Sequence, residues 1–417
     1  MSLSRSLLRR ALEQGLALND RAAAAANNAF DWLFLRESLV KSGLTPYEVI
    51  YTGDPMSLRY YPAPAEAQIE TAKGGRMAVQ RKRLATPLVL VPPLGVTTET
   101  FDLLPHRSLV RYMAARGFHT YLVDWGRPER RHAALGIADY ADTMMATALR
   151  EIRAHSGSQQ LSLMGWCMGG LLCLIHLGLT QDKDVRNLVT VASPIDLRGG
   201  GIVAGAATAL NTPARLIRKF SSFRLHNFDA GKLHAPGWLT TLSFKLTDPI
   251  GSVTTYWDLL TRLWDREFVE SHSTTSDYLN NMLLYPGGVI RDLVVKIAVD
   301  NRLAEGRIEI GGRKADLRKI RANLLAFAGT TDHLVPAQIA RKSVELVASK
   351  DKDFIVAPGG HMGVILGSGA QEHVWAVAAQ WLAKRSSRRK PKAATGSRAE
   401  RDQRAAQRRS QQEDPTL

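Results

Sequence analysis

The sequence predicts an α/β fold in which a mostly parallel sheet is covered by helices on both faces, and three features predict it. Short runs rich in Val, Ile and Leu recur between turn residues, and helix-period segments alternate with them. One run also ends in a glycine-rich strand-to-helix turn, Gly165-Trp166-Cys167-Met168-Gly169. Apolar runs without in–out alternation suit strands buried on both faces, and the amphipathic segments between them suit crossover helices. The runs lie at 87–91, 120–124, 160–164, 188–192, 324–328 and 354–357. The helical segments lie at 108–116, 140–154, 168–179, 337–348 and 371–384. Ahead of them, 48–61 (EVIYTGDPMSLRYY) reads as an antiparallel hairpin turning at Gly53-Asp54-Pro55.

The alternation stops between about 198 and 318. That block holds the uncharged run 199–210 and then Trp238, Trp257 and Trp264 among helical segments. It is too long for a simple crossover and too aromatic for disorder. The expected organisation is therefore an N-terminal helical segment (1–44), a core in two parts (45–197 and 319–385), a cap or lid inserted at 198–318, and a basic disordered tail (386–417). A chain of 417 residues is long enough for one large α/β domain with such an insertion.

An apolar content of 45% with 23% charged residues is that of a globular protein. The two cysteines, Cys167 and Cys173, lie on one elbow and helix, so no disulfide framework can form and a reducing cytoplasm is the expected compartment. No CxxC or HExxH spacing appears, so a metal site has no support. The longest uncharged apolar stretches, 168–179 and 199–210, fall short of the roughly 20 residues that span a bilayer. The opening MSLSRSLLRRALEQGL has Arg and Leu at helical spacing without the apolar core of a secretory signal. It fits an amphipathic helix docking on a partner or a hydrophobic surface, or an organellar transit peptide.

The net charge of +16 is uneven. Residues 384–417 hold eleven Lys/Arg and four Asp/Glu, hence +7, with no aromatic and hardly any aliphatic side chain beyond alanine. Such a segment cannot bury a core. It solubilises, or it binds an acidic surface, and without a stacking platform it would meet nucleic acid only non-specifically.

The pentapeptide at 165–169 has the G-x-nucleophile-x-G form of a nucleophile elbow, with cysteine where α/β-hydrolases usually carry serine. A strand turning sharply into a helix strains the central residue and lifts its side chain above the sheet. The helix N-terminus beneath the thiol favours the thiolate, which is the nucleophile. In such folds the order along the chain is nucleophile, acid, histidine, each after a strand. Asp332 follows the run 324–328 and His361 follows 354–357, both at strand C-terminal ends, where an open parallel sheet places its site. His333 adjoins the acid and points elsewhere, while His176 and His373 fall inside helices. An oxyanion hole combines the N–H after the nucleophile, that of Met168, with one from the loop after an early strand. In Pro92-Pro93-Leu94-Gly95 the prolines have no N–H, which points to Leu94.

With these residues placed, the chain resembles the polyhydroxyalkanoate synthases, in particular the shorter class that works with a companion subunit. The likeness runs from about 45 to 382. Its early motifs are TPYEVIY at 45–51, LVPPL at 90–94, FDLLPHRSLVRY at 101–112, YLVDWGRP at 121–128 and GWCMGG at 165–170. The late ones are DNRLAEG at 300–306, GGRKADL at 311–317, GTTDHLVP at 329–336 and GGHMG at 359–363. Two stretches depart from the family. The loop after Pro93 usually carries an asparagine and a tyrosine, and here it is Gly95-Val96-Thr97-Thr98-Glu99-Thr100. A Trp-centred motif before the late helical segment is replaced by Ser273-Thr274-Thr275-Ser276-Asp277-Tyr278.

The resemblance implies an acyltransferase that polymerises (R)-3-hydroxyacyl-CoA into polyhydroxyalkanoate, with the coenzyme A thioester as substrate and no further cofactor. Its functional residues fall on Cys167, Asp332 and His361. Cys167 would be acylated with His361 taking the thiol proton, and Asp332 would help His361 activate the incoming 3-hydroxyl. The implied partners are a companion synthase subunit or a second copy of the chain, and a polyester granule surface. Two other readings stay open: a cysteine hydrolase of thioesterase, depolymerase or dienelactone-hydrolase type with water as acceptor, and a non-catalytic granule-associated protein.

Overall fold

The computed structural model describes residues 2–196 and 257–386. Much of the expected cap (197–256) and nearly all of the expected tail (387–417) lie outside them. In chain order the elements are α1 (Ser2–Phe34), β1 (Glu48–Thr52), β2 (Ser57–Tyr61), β3 (Gln68–Glu70), β4 (Arg76–Ala78), β5 (Leu88–Val91), β6 (Asp102–Leu104) and β7 (Arg107–Ser108). Next come α2 (Leu109–Ala115), β8 (Thr120–Asp124), α3 (Met145–Ser156), β9 (Leu161–Trp166), α4 (Met168–Thr180) and β10 (Val185–Val191). Then follow α5 (Arg266–Asn280), α6 (Gly287–Asp292), β11 (Arg307–Ile310), β12 (Arg313–Asp316), β13 (Asn323–Gly329), α7 (Ala337–Leu346), β14 (Lys352–Ala357), α8 (Gly363–Leu366) and α9 (Ala376–Arg385).

Among the described residues the main sheet has eight strands in the order β1-β2-β8-β5-β9-β10-β13-β14. The hairpin β1–β2 joins one edge antiparallel, through β2 on β8, and the other neighbours are parallel. Alternate residues of each apolar strand feed two cores. Val89, Val91, Leu163 and Leu188 meet α3 and α4 on one face, whereas Leu88, Leu90, Met164 and Val189 meet α2 and α9 on the other. The continuous hydrophobic runs arise because both faces are buried.

Each expected strand forms, with shifts that have physical causes. Pro87 has no N–H to give the ladder, so β5 starts at Leu88, while the Pro87 carbonyl accepts from Ser162. β10 starts at Val185, three residues before the apolar run, because its early residues include Asn187, which is buried for a polar reason. Asn187 Nδ2 donates to Ser162 Oγ at 2.9 Å and its Oδ1 accepts from Asn323 Nδ2 at 2.9 Å. These three residues stand at one register level of β9, β10 and β13. A one-residue slip of either pair would leave buried polar atoms without partners, which sets the register in strands whose apolar side chains discriminate poorly.

The last part of α1 docks on the start of α5. Asn28 Nδ2 donates to the Leu263 carbonyl at 2.7 Å, Arg266 pairs with Asp31 at 2.5 Å, and Arg21 lies over the Trp264 ring. In the described part of the expected cap (257–318 of 198–318), the β11–β12 hairpin packs Ile308, Ile310 and Ala315 into the same core cluster as α4. Asn301 Nδ2 donates to Asp196 Oδ1 at 2.8 Å, joining the two ends of the stretch between 196 and 301. No helix among the described residues is long and apolar enough to cross a membrane.

Asn187→Ala should destabilise the protein by about 1–3 kcal/mol, because it strands two buried partners, and Ser162→Ala should cost less. Urea unfolding monitored by far-UV circular dichroism checks this, and a neutral Asn187→Ala would mean that the ladder does not hold the register.

Candidate active site

Cys167 sits between β9 and α4 with φ 50° and ψ −121°, a backbone conformation that costs strain at a residue with a side chain. Close packing around the elbow imposes it. A Cβ on Gly169 would overlap the Val91 carbonyl, one on Gly170 would overlap Ser193 Oγ, and one on Gly165 would overlap the Gly170 amide. The Cys167 N–H donates to the Val191 carbonyl at 2.7 Å, tying the elbow to the end of β10. The Cys167 side chain remains partly exposed, whereas Cys173 is buried inside α4. Burial pushes the Cys173 thiol well above its ordinary pKa.

Asp332 and His361 come from the loops after β13 and β14. Their backbones are stitched together: the Thr331 N–H donates to the Gly359 carbonyl, and the Gly359 N–H donates to Thr330 Oγ1. Asp332 is buried and fully bonded. Its Oδ1 accepts from the Leu334 and Val335 N–H groups at 3.0 and 2.8 Å, and its Oδ2 lies 2.8 Å from His361 Nδ1. A carboxylate held this way can only accept, so Nδ1 carries the proton and Nε2 is left for Cys167. Nε2 is buried, and Cys167 acts on it both by charge and as a side-chain hydrogen-bond partner; no other hydrogen-bond partner reaches it among the described residues. Burial alone would lower the His361 pKa, but the negative charge at Cys167 and the bond to Asp332 outweigh it and raise the pKa above the ordinary imidazole value.

Trp166, read in the sequence as the variable position of the elbow, braces the histidine. Its ring lies 5.6 Å from the imidazole, and Nε1 donates to the His361 carbonyl at 3.3 Å. The other histidines stand elsewhere. His333 and His373 are exposed, and His176 is buried in α4 with Nδ1 2.8 Å from the Ala141 carbonyl.

Leu94 lies in the buried loop after β5, and Met168 is the first residue of α4. The Leu94 N–H meets no acceptor among the described hydrogen bonds, and the Met168 N–H has none within its helix. Two tyrosines that the sequence did not single out close this side of the site. Tyr278 Oη is 2.5 Å from Thr100 Oγ1, and Tyr285 Oη donates to the Leu94 carbonyl at 2.6 Å. Burial first pushes both phenols above their ordinary pKa; the charge of Glu99 and then of Cys167 adds to this at Tyr278, and the charge of Cys167 at Tyr285. The Thr100–Tyr278 contact joins the two stretches that depart from the synthase pattern. No signal in the sequence links them, because they are 178 residues apart. Among the described residues no group of three or more His, Cys, Asp or Glu is placed to hold a metal ion.

Residues 87–368, more than half of the chain, match the family model of the alpha/beta hydrolase fold. The chain belongs to the α/β-hydrolase fold family. Within that family it is similar to proteins named poly(3-hydroxyalkanoate) polymerase subunit PhaC. It is 28% identical to that of Haloferax mediterranei over 91% of this chain and 71% of the relative. It is 26% identical to that of Allochromatium vinosum over 84% of this chain and 92% of the relative. Among solved structures, a monoacylglycerol lipase of Paleococcus ferrophilus aligns with a TM-score of 0.44 and 16% identity, over 75% of this chain and 100% of the lipase.

Cys167, Asp332 and His361 follow the C-terminal ends of three strands, β9, β13 and β14, where the α/β-hydrolase fold places a nucleophile, an acid and a histidine. Iodoacetamide should alkylate Cys167 and spare Cys173 in the native protein, a difference that peptide mass spectrometry reads directly. In Cys167→Ala the His361 imidazole should titrate at a lower pH than in the wild type, as followed by 15N NMR. The sign follows because the substitution removes a group that raises this pKa. A raised native pKa stabilises the fold fully below the ordinary imidazole range, and this contribution is lost as pH climbs through the raised value. An unchanged His361 titration would mean that the sulfur does not carry the charge that holds the proton.

Proposed function

We propose that the protein is an acyltransferase that polymerises (R)-3-hydroxyacyl groups from coenzyme A thioesters into polyhydroxyalkanoate, releasing coenzyme A through a covalent acyl-Cys167. The observation that carries this reading is a cysteine, rather than a serine, on the strained elbow beside the Asp332–His361 pair. The similarity to the polymerase subunits supports it. In the first half-reaction Cys167 Sγ attacks the thioester carbonyl carbon. The bond to the coenzyme A sulfur breaks, and that sulfur leaves with a proton from His361. One thioester replaces another at little free-energy change, so the acyl group stays reactive, whereas an acyl-serine would dissipate it.

In the second half-reaction the 3-hydroxyl oxygen of another unit attacks the acyl carbonyl. His361 Nε2 takes the hydroxyl proton, Sγ leaves as thiolate, and an oxoester is formed. Asp332 holds Nδ1 throughout. The Met168 and Leu94 N–H groups serve the oxyanion of both tetrahedral intermediates. On the same reading α1 and the basic tail locate the enzyme on a companion subunit or a polyester surface, and a cap excludes water in favour of the hydroxyl acceptor.

Purified protein given 3-hydroxybutyryl-CoA should release coenzyme A and form polymer, with acyl label trapped on Cys167 and none in Cys167→Ala. Asp332→Asn should still acylate but turn over roughly 10²-fold more slowly. Free 3-hydroxybutyrate as the sole product would favour the cysteine hydrolase, and no coenzyme A release from any acyl thioester would overturn acyl transfer altogether.

A further inference from the structure

The loop after β5 is held by its carbonyls. The Trp125 indole N–H, at the end of β8, donates to the Pro92 carbonyl at 2.8 Å. From the connection between α5 and α6, the Tyr285 phenol donates to the Leu94 carbonyl at 2.6 Å, and the Leu283 N–H donates to the Gly95 carbonyl at 2.8 Å. A carbonyl and the next residue's N–H share one rigid plane. The peptides 92–93, 94–95 and 95–96 are therefore each fixed by a bond. The remaining peptide, 93–94, bears the Leu94 N–H and has no hydrogen bond among the described residues. With Pro93 φ locked by its ring, that plane can turn only about Pro93 ψ and Leu94 φ, and it is bracketed on both sides.

Tyr285 reaches the loop because residue 95 is glycine. A Cβ there would overlap the phenol ring, and Gly95 has φ +80°. The first turn of α4 rests against the Val91 and Pro92 carbonyls, so the loop borders the elbow. Tyr285, like Leu94 and Cys167, packs with the core cluster on this side of the sheet.

We propose that Tyr285 is a positioning residue: by pinning the Leu94–Gly95 peptide, it aims the Leu94 N–H at the oxyanion that forms when Cys167 attacks an acyl carbonyl. The proposal rests on the acyl-transfer reading of the site and names the residue that orients the Leu94 donor. Tyr285 acts through the Leu94 carbonyl that it holds.

The test compares two reactions of Cys167 in the full-length protein. Alkylation by iodoacetamide develops no oxyanion, whereas acylation by p-nitrophenyl butyrate does. Loss of one oxyanion donor slows acylation about 10²–10³-fold, so Tyr285→Phe, which keeps the ring and leaves the donor misaimed, should slow it roughly 10- to 100-fold. Alkylation should stay within about twofold of the wild type, and the dependence on ester concentration should not change, because the loss is confined to the transition state. Trp125→Phe, which frees the Pro92 carbonyl, should shift the ratio of the two rates in the same direction and keeps the proposal testable if Tyr285→Phe does not fold. An unchanged ratio in the folded variants, or a parallel loss of both reactions, would overturn it. If the wild type makes no polymer from 3-hydroxybutyryl-CoA while Tyr285→Phe still slows ester acylation selectively, the polymerase reading fails and the positioning role of Tyr285 stands.

Discussion

Because the first turn of α4 lies against the Val91 carbonyl and the Ser193 side chain, no Cβ fits at Gly169 or Gly170. The chain can enter that helix only through a sharp reversal at Cys167. The strained backbone there is sustained by the packing around it, chiefly the bond from the Cys167 N–H to Val191 and the two cores that clamp β9 from either face. The reversal puts the thiol above the sheet and the Met168 N–H at the helix start.

The acid and the histidine depend on that position. A buried carboxylate is costly unless its oxygens are bonded, and Asp332 meets that condition with two backbone N–H groups and the imidazole. All of its bonds serve to orient His361. His361 then has one nitrogen committed and one buried nitrogen, Nε2, whose one partner among the described residues is Cys167. A buried polar atom left in this way weakens a fold, and such atoms collect where chemistry uses them.

The opposite wall is built from two stretches remote in sequence. Gly95 admits Tyr285, and Thr100 pairs with Tyr278, so the loop after β5 and the chain from 273 to 285 form one surface. The places where this chain departs from the synthase pattern are thus in contact. A change in either stretch that ignored the other would leave a void or a buried hydroxyl without a partner.

The sequence by itself determined the sheet-and-helix alternation, because burial on both faces demands uninterrupted apolar runs, and a run of that kind is visible without any partner. It also marked the three candidate site residues. Cys167, Asp332 and His361 each follow a strand that can be read locally, and parallel topology brings all strand C-terminal ends to one edge. What only the tertiary structure decided are contacts between residues that local pattern does not relate. Asn187 looks like an interruption of β10 until Ser162 and Asn323 stand beside it. Trp166 looks like filler until His361 packs on it. Gly95 looks like an ordinary turn residue until the Tyr285 ring, 190 positions away, occupies the space its missing side chain leaves. Hydrophobic periodicity records which face of an element is buried, but it carries no record of which distant side chain fills a given gap, and that is settled only when the elements pack.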